Sequence, residues 1–279
     1  MRLSVVLFLV SAALPLAAQS PPATPVPDVP PPIEDNSFLV EEAYNQERGI
    51  VQHISTFSRS AGSAAWMYAF TQEWPLAGQA HQLSYTVPLA HNDDPLATGT
   101  GIGDIAVTYR YQIGGGDHAL ALAPNATVLL PTGDSRRALG SGGAGFQVKL
   151  PFSAKLAPRL VAHSNAGVSY TPRARDIFGN TAASRGYALG QSVIWLAHPR
   201  LNLMLESIWS ATEEVTGPRQ TERGTEFLLS PGLRTAINLR SGLQIVPGLA
   251  FPFGIGPSRG ERGVFAYLSF EHPFARQSP

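Results

Sequence analysis

Across residues 104–113 apolar and polar side chains alternate one by one. Ile105, Val107, Tyr109, Tyr111 and Ile113 share one parity, and Asp104, Thr108, Arg110 and Gln112 the other. A period of two marks a strand with two unlike faces. The pattern recurs where Leu83, Tyr85, Val87 and Leu89 oppose Gln82, Ser84 and Thr86, and where Phe146, Val148, Leu150 and Phe152 oppose Gln147, Lys149 and Ser153. It recurs again where Leu160, Ala162, Ala166 and Val168 oppose His163, Asn165 and Ser169, and where Leu201, Leu203 and Leu205 oppose Asn202 and Glu206. Between residues 50 and 274 about twelve such strands fit, each about ten to twelve residues long, enough to cross a bilayer at a tilt. The gaps alternate between long and polar (91–103, 171–184, 211–224) and tight (114–117, 157–159, 198–200). An even set of antiparallel strands with short turns at one end and long loops at the other predicts an all-β fold. Its architecture is a transmembrane antiparallel up-and-down β-barrel over residues 48–274.

A soluble sandwich also alternates, but it gives no reason for gap lengths to alternate. Trp66, Trp74, Tyr109, Tyr111, Tyr170, Trp195 and Trp209 fall near predicted strand ends, as an aromatic girdle requires, and the last strand ends on Phe274. Pro88, Pro124, Pro151, Pro231 and Pro247 fall inside predicted strands, where each removes a ladder donor, so they should mark bulges or rims.

The first fifty residues follow other rules. Arg2, the apolar run 3–14 and the small-residue exit at Leu16, Ala17 and Ala18 read as a signal peptide over 1–19. A proline-rich linker over 20–34 should be extended and semi-rigid. In 35–47, Asp35, Asn36 and Ser37 can cap a short helix over 38–46, with Glu41 and Glu42 near its start. A periplasmic tether is the favoured reading of that segment, and a lumen plug the other. Residues 275–279 form a tail.

Composition supports export and excludes several chemistries. Charged residues make up 14% of the chain, against about a quarter in soluble domains, and net charge is zero. No basic surface therefore suggests nucleic acid. Cysteine is absent, which excludes disulfides and thiolate sites. No apolar run approaches the length of a spanning helix, so any span is built from strands.

Gly103, Asp104 and Ile105 leading into Tyr109, Arg110 and Tyr111, then 130–134 (LPTGD) and the glycine-rich 140–145, resemble a known bacterial family. It is the family named for a putative MetA-pathway of phenol degradation; 163–167 (HSNAG) and Leu205-Glu206 are similar to its later strands. The resemblance covers roughly residues 50–274 and is strongest over 101–170. It implies an outer-membrane, transporter-like barrel taking up small compounds, aromatic ones among them, and it supplies no catalytic residues.

The candidate chemistry lies on the inward face. Asp104, Arg110, Lys149, His163, Asn165, Glu206, Glu226 and Arg234 are expected to line the lumen, with opposite charges pairing across it. The alternative is a closed polar core without a pathway. His53 and Ser55, two apart on one strand, offer an imidazole beside a hydroxyl, the minimum for a lipid hydrolase. A structural or adhesive barrel is the third role. His91, Asp93 and Asp94 carry ligand types for a divalent ion, but a polar loop is the better reading, and no metal or cofactor is expected. Glycines at 99–103 precede a strand instead of following one, which rejects a dinucleotide fingerprint. Arg136 and Arg137 can contact lipopolysaccharide phosphates or stay solvated. The expected partners are outer-membrane lipid and lipopolysaccharide, a small-molecule solute and the barrel-assembly machinery. The expected location is the outer membrane of a Gram-negative-type bacterium.

Overall fold

The computed structural model describes residues 33–274 apart from 35, 77, 116–118 and 240–242. The predicted signal peptide, most of the proline-rich linker and the tail lie outside the described residues.

Among the described residues, twelve antiparallel strands close into one barrel. They are β1 (Ile50–Ser60), β2 (Trp66–Pro75), β3 (His81–Asn92), β4 (Gly99–Ile102, Ile105–Tyr111 and Ile113–Gly114) and β5 (Leu120–Leu122 and Asn125–Leu130). Next come β6 (Gly145–Ala157), β7 (Leu160–Arg175), β8 (Thr181–His198) and β9 (Leu201–Gly217). The set ends with β10 (Gln220–Thr235 and Ile237–Asn238), β11 (Gln244–Ala250 and Phe253–Gly254) and β12 (Gly263–Pro273). Each strand pairs with the next. The seam between β1 and β12 runs in register from Ile50↔Pro273 to Ser60↔Gly263, so the sheet has no free edge. Closure satisfies the backbone where water is absent.

Burial is inverted relative to a soluble protein. His163, Ser192, Glu206 and Ser230 are fully buried, whereas Leu189 is 55% and Val148 54% exposed. The exposed aliphatic face meets lipid, and the polar face turns inward.

Two of the long gaps are not loops. β7 runs to Arg175 and β8 begins at Thr181, while β9 and β10 meet at a two-residue turn, Pro218-Arg219. These strands reach 16–18 residues and rise past the others. Beyond the bilayer both faces see water, so alternation fades although the ladder continues. That is why the pattern places the strand ends too early.

The strand prolines coincide with interruptions in the neighbouring strand. Pro88 faces the break in β4, where its carbonyl accepts from Gly103 N–H at 2.9 Å. Pro151 faces the break in β5, which contains Pro124, and its carbonyl accepts from Ala123 N–H at 2.9 Å. Pro231 faces the break in β11, through Phe251 N–H at 3.0 Å. A proline offers no N–H, so the partner carbonyl has nothing to accept and its strand steps aside. Pro247 differs, lying inside Gln244–Ala250 opposite Leu268.

The predicted helix over 38–46 does not form, and the segment is not a free tether. Residues 36–46 run as irregular backbone inside the barrel. Their N–H groups go to side chains on the barrel wall instead of to carbonyls four residues back. The segment is an arch. Ile33 N–H donates to Pro199 O at the short turn between β8 and β9, and the other foot enters β1 at Ile50. Both feet stand at the short-turn mouth.

Candidate functional site in the lumen

Glu41, at the middle of the arch, reaches three wall strands. Its Oε1 lies 2.6 Å from Lys149 Nζ, and its Oε2 lies 2.9 Å from Arg110 Nη2. Asn125 Nδ2 also donates to Oε2, at 2.9 Å. Burial raises the Glu41 carboxyl, but Lys149 and then Arg110 outweigh it and hold it down at about 2. Asn165 fixes the backbone of the same residue from both sides. Glu41 N–H donates to Asn165 Oδ1 at 2.7 Å, and Asn165 Nδ2 donates to Glu41 O at 2.8 Å. Arg110 Nη1 extends the clamp to Tyr44 O at 3.1 Å.

Glu206 holds the rising limb. Its Oε1 accepts from the N–H groups of Phe38, Leu39 and Val40 at 3.1, 2.8 and 3.0 Å. Three successive amides converging on one oxygen form an anion nest. Below it, the Arg234 guanidinium donates to Asn36 O, Asn202 Nδ2 donates to Glu34 O at 2.8 Å, and the Ser37 and Ser192 hydroxyls meet at 2.7 Å. On the descending limb, Ser153 Oγ accepts from Ala43 N–H at 2.8 Å and lies 2.7 Å from His163 Nδ1. Asn45 N–H then donates to Gln112 Oε1 at 2.6 Å, and Gln46 N–H to Gln82 Oε1 at 2.8 Å.

Six of the eight lumen candidates therefore converge on one structure: Arg110, Lys149, His163, Asn165, Glu206 and Arg234. Their charges pair with the arch more than across an open lumen. Two lie elsewhere. Asp104 accepts from Gly133 N–H at 3.0 Å, and from Ser141 N–H at 2.7 Å and Oγ at 2.6 Å, which ties the 131–144 loop to β4. Glu226 is exposed above the arch, with Ser210 Oγ at 3.5 Å. Gln82, Gln112, Asn125, Ser153, Ser192 and Asn202 complete the seat. The only sequence signal for them was their place on the polar face.

The other candidates do not assemble. His53 and Ser55 point out of the barrel and find separate partners. His53 Nδ1 lies 2.8 Å from Gln72 Nε2, and Ser55 Oγ lies 3.1 Å from Tyr68 OH. His91 Nδ1 pairs with Thr100 Oγ1 at 2.8 Å. The Asp93 carboxyl is held below its ordinary value by the Ser63 hydroxyl and Ala64 N–H, while Asp94 caps Leu96 N–H. Among the described residues no three metal-ligating side chains gather. Arg137 pairs with Asp134 at 3.5 Å, across its own short turn.

Known structures share this architecture. The COG4313 outer membrane channel from Pseudomonas putida F1 superposes with a TM-score of 0.61 at 12% identity, covering 82% of this chain and 97% of that one. The NanC porin gives 0.55 at 10% identity, covering 78% and 98%, and the KdgM porin 0.50 at 9%, covering 80% and 99%. At these identities the likeness is one of fold. No curated protein matches the chain. Residues 43–254, from the end of the arch through β11, match the family model described as "Putative MetA-pathway of phenol degradation": the chain belongs to this family.

Proposed function

We propose that the protein is a passive passage for small molecules across the outer membrane of a Gram-negative-type bacterium, with the arch of residues 36–46 as its removable plug. The observation that carries this reading is the chemistry of the seat. The arch is held chiefly by polar side chains donating to, or accepting from, its backbone. Such bonds contribute about 1 kcal/mol each because water replaces them on release. A polar seat of this kind can therefore open in a way that a fused apolar core cannot. The names of the similar barrels, a channel and two porins, favour passage, and the family description favours aromatic solutes. In this reading the short-turn mouth faces the periplasm, the tall strands face outward among lipopolysaccharide, and the assembly machinery inserts the barrel after export. No hydrolytic step is assigned, since His53 and Ser55 are bonded to separate partners.

The deciding measurement is single-channel current in planar bilayers. Deleting residues 36–46 should raise conductance well above that of the full chain. A folded deletion variant with unchanged conductance would overturn the reading.

A further inference from the structure

Phe38 sits in a slot shaped for one flat ring. Its ring packs against Phe265 and Tyr267 on β12, with centroids 5.5 and 5.2 Å apart and planes tilted by 40° and 42°. Ala250 and Ile54 close the sides. The remaining wall is bare backbone. A Cβ at Gly248 would lie 2.5 Å from Phe38 Cζ, and one at Gly232 would lie 2.8 Å from Phe38 Cε2. Contacts that close are not sustained, so only glycine at both positions leaves room for the ring. Aromatic pairs in tilted contact contribute beyond their buried area.

The slot also has a polar end that Phe38 does not use. The Arg234 guanidinium stands 5.2 Å from the Tyr267 ring centre. Its Cγ would lie 3.0 Å from the same Gly248 Cβ that would touch Phe38 Cζ, so its stem borders the far edge of the ring. Arg234 is 1% exposed, and its Nε has no hydrogen-bond partner among the described residues. Ser230 Oγ and Glu206 Oε2, side by side across β9 and β10, are likewise buried without partners. A phenyl ring has nothing to offer these atoms. A ring bearing a hydroxyl has an acceptor for Arg234 Nε and a donor for Glu206 or Ser230. Buried groups left unpaired favour the ligand that pairs them.

We infer that the slot formed by Gly232, Gly248, Phe265 and Tyr267 is a binding site for a single aromatic ring carrying a hydroxyl group, held in the plugged state by Phe38 as an internal stand-in. This inference rests on the passage reading and gives it a solute class. A phenol entering the lumen displaces Phe38, which is itself only partly buried, and so removes one of the arch's apolar anchors. The polar bonds to Glu206 and Glu41 remain to be exchanged for water.

The test is equilibrium binding of 4-fluorophenol to the purified full chain, followed by fluorine NMR line broadening. Phe38→Ala should bind at least tenfold more tightly than wild type, because the slot is then empty. Adding Gly248→Val in that background should return the affinity to the wild-type level or below. If that double variant does not fold, Phe38→Leu serves instead: it keeps an apolar side chain in the slot and should bind no more tightly than wild type. Equal binding by wild type and Phe38→Ala, or by Phe38→Ala and Phe38→Leu, overturns the site. Fluorobenzene binding as tightly as 4-fluorophenol overturns the role of the hydroxyl. Binding is read without current, so failure of the slot is distinct from a lumen that does not conduct.

Discussion

Glu41 answers to two cations and two amides from strands far apart in sequence, and removing its charge should be felt at once. Glu41→Gln keeps the shape but gives up the charge-assisted bonds to Lys149 and Arg110. Its expected cost to the seated arch is about 2 kcal/mol, or roughly thirtyfold in the ratio of seated to released segment. More frequent open events in single-channel records would report it. The pH response follows from the same group. The Glu41 carboxyl is held down at about 2 from an ordinary 4.5, so its contribution is complete above the ordinary value and is lost as pH falls through about 2. The excess of open events in Glu41→Gln over the full chain should therefore persist unchanged from neutral pH to about 5 and disappear only in strong acid, near pH 2 to 3. A difference between the two that vanishes near neutrality would overturn the role of the Glu41 charge. Alternation alone put Arg110, Lys149, Asn165, Glu206 and Arg234 on the inner face. It could not reveal Glu41, because the arch has no period of its own and its partners lie 69 and 108 residues away.

At the scale of the strand, what the pattern reads is the membrane and not the ladder. Apolar residues alternate only where one face meets lipid, so the bilayer portions of β3, β4, β6, β7 and β9 are legible. The outer portions of β7 to β10 are not, since water on both faces erases the contrast. Prolines inside strands are legible as disturbances, but their effect falls on the partner strand, which a single sequence does not identify. Orientation can be tested on two exposed turns, because the chain has no cysteine of its own. Pro218→Cys, at the tip of the tall β9–β10 hairpin, should react with a membrane-impermeant maleimide on intact cells. Pro158→Cys, between β6 and β7, should react only after the outer membrane is permeabilised. The reverse result would invert the barrel.

For the whole molecule, closure and plug act on one charge balance. The arch brings Glu41 and Glu42 into a wall that carries Arg110, Lys149 and Arg234. Removing residues 36–46 takes these two acidic groups away, while the wall keeps Arg110, Lys149 and Arg234 together with its own Glu73 and Glu206. The deletion variant should therefore shift toward anions relative to the full chain, measured as a reversal potential in a salt gradient, and the direction of that shift checks the assignment of the inner face. The barrel itself was legible because closure needs a repeated pattern. The seating of residues 36–46 was legible only as the second of two readings, because a segment held by other strands' side chains needs no pattern of its own. Its geometry carries one more consequence. Since both feet of the arch stand at the same mouth, the described residues from Ile33 to Ile50 do not pass through the ring of strands, and seating or release of the arch needs no threading. A pull on the chain preceding Ile33 would peel the rising limb bond by bond, from Asn202 to Arg234 to Glu206, before Glu41 bears any load. The force required is then set by the strongest single station and not by the sum of the whole seat.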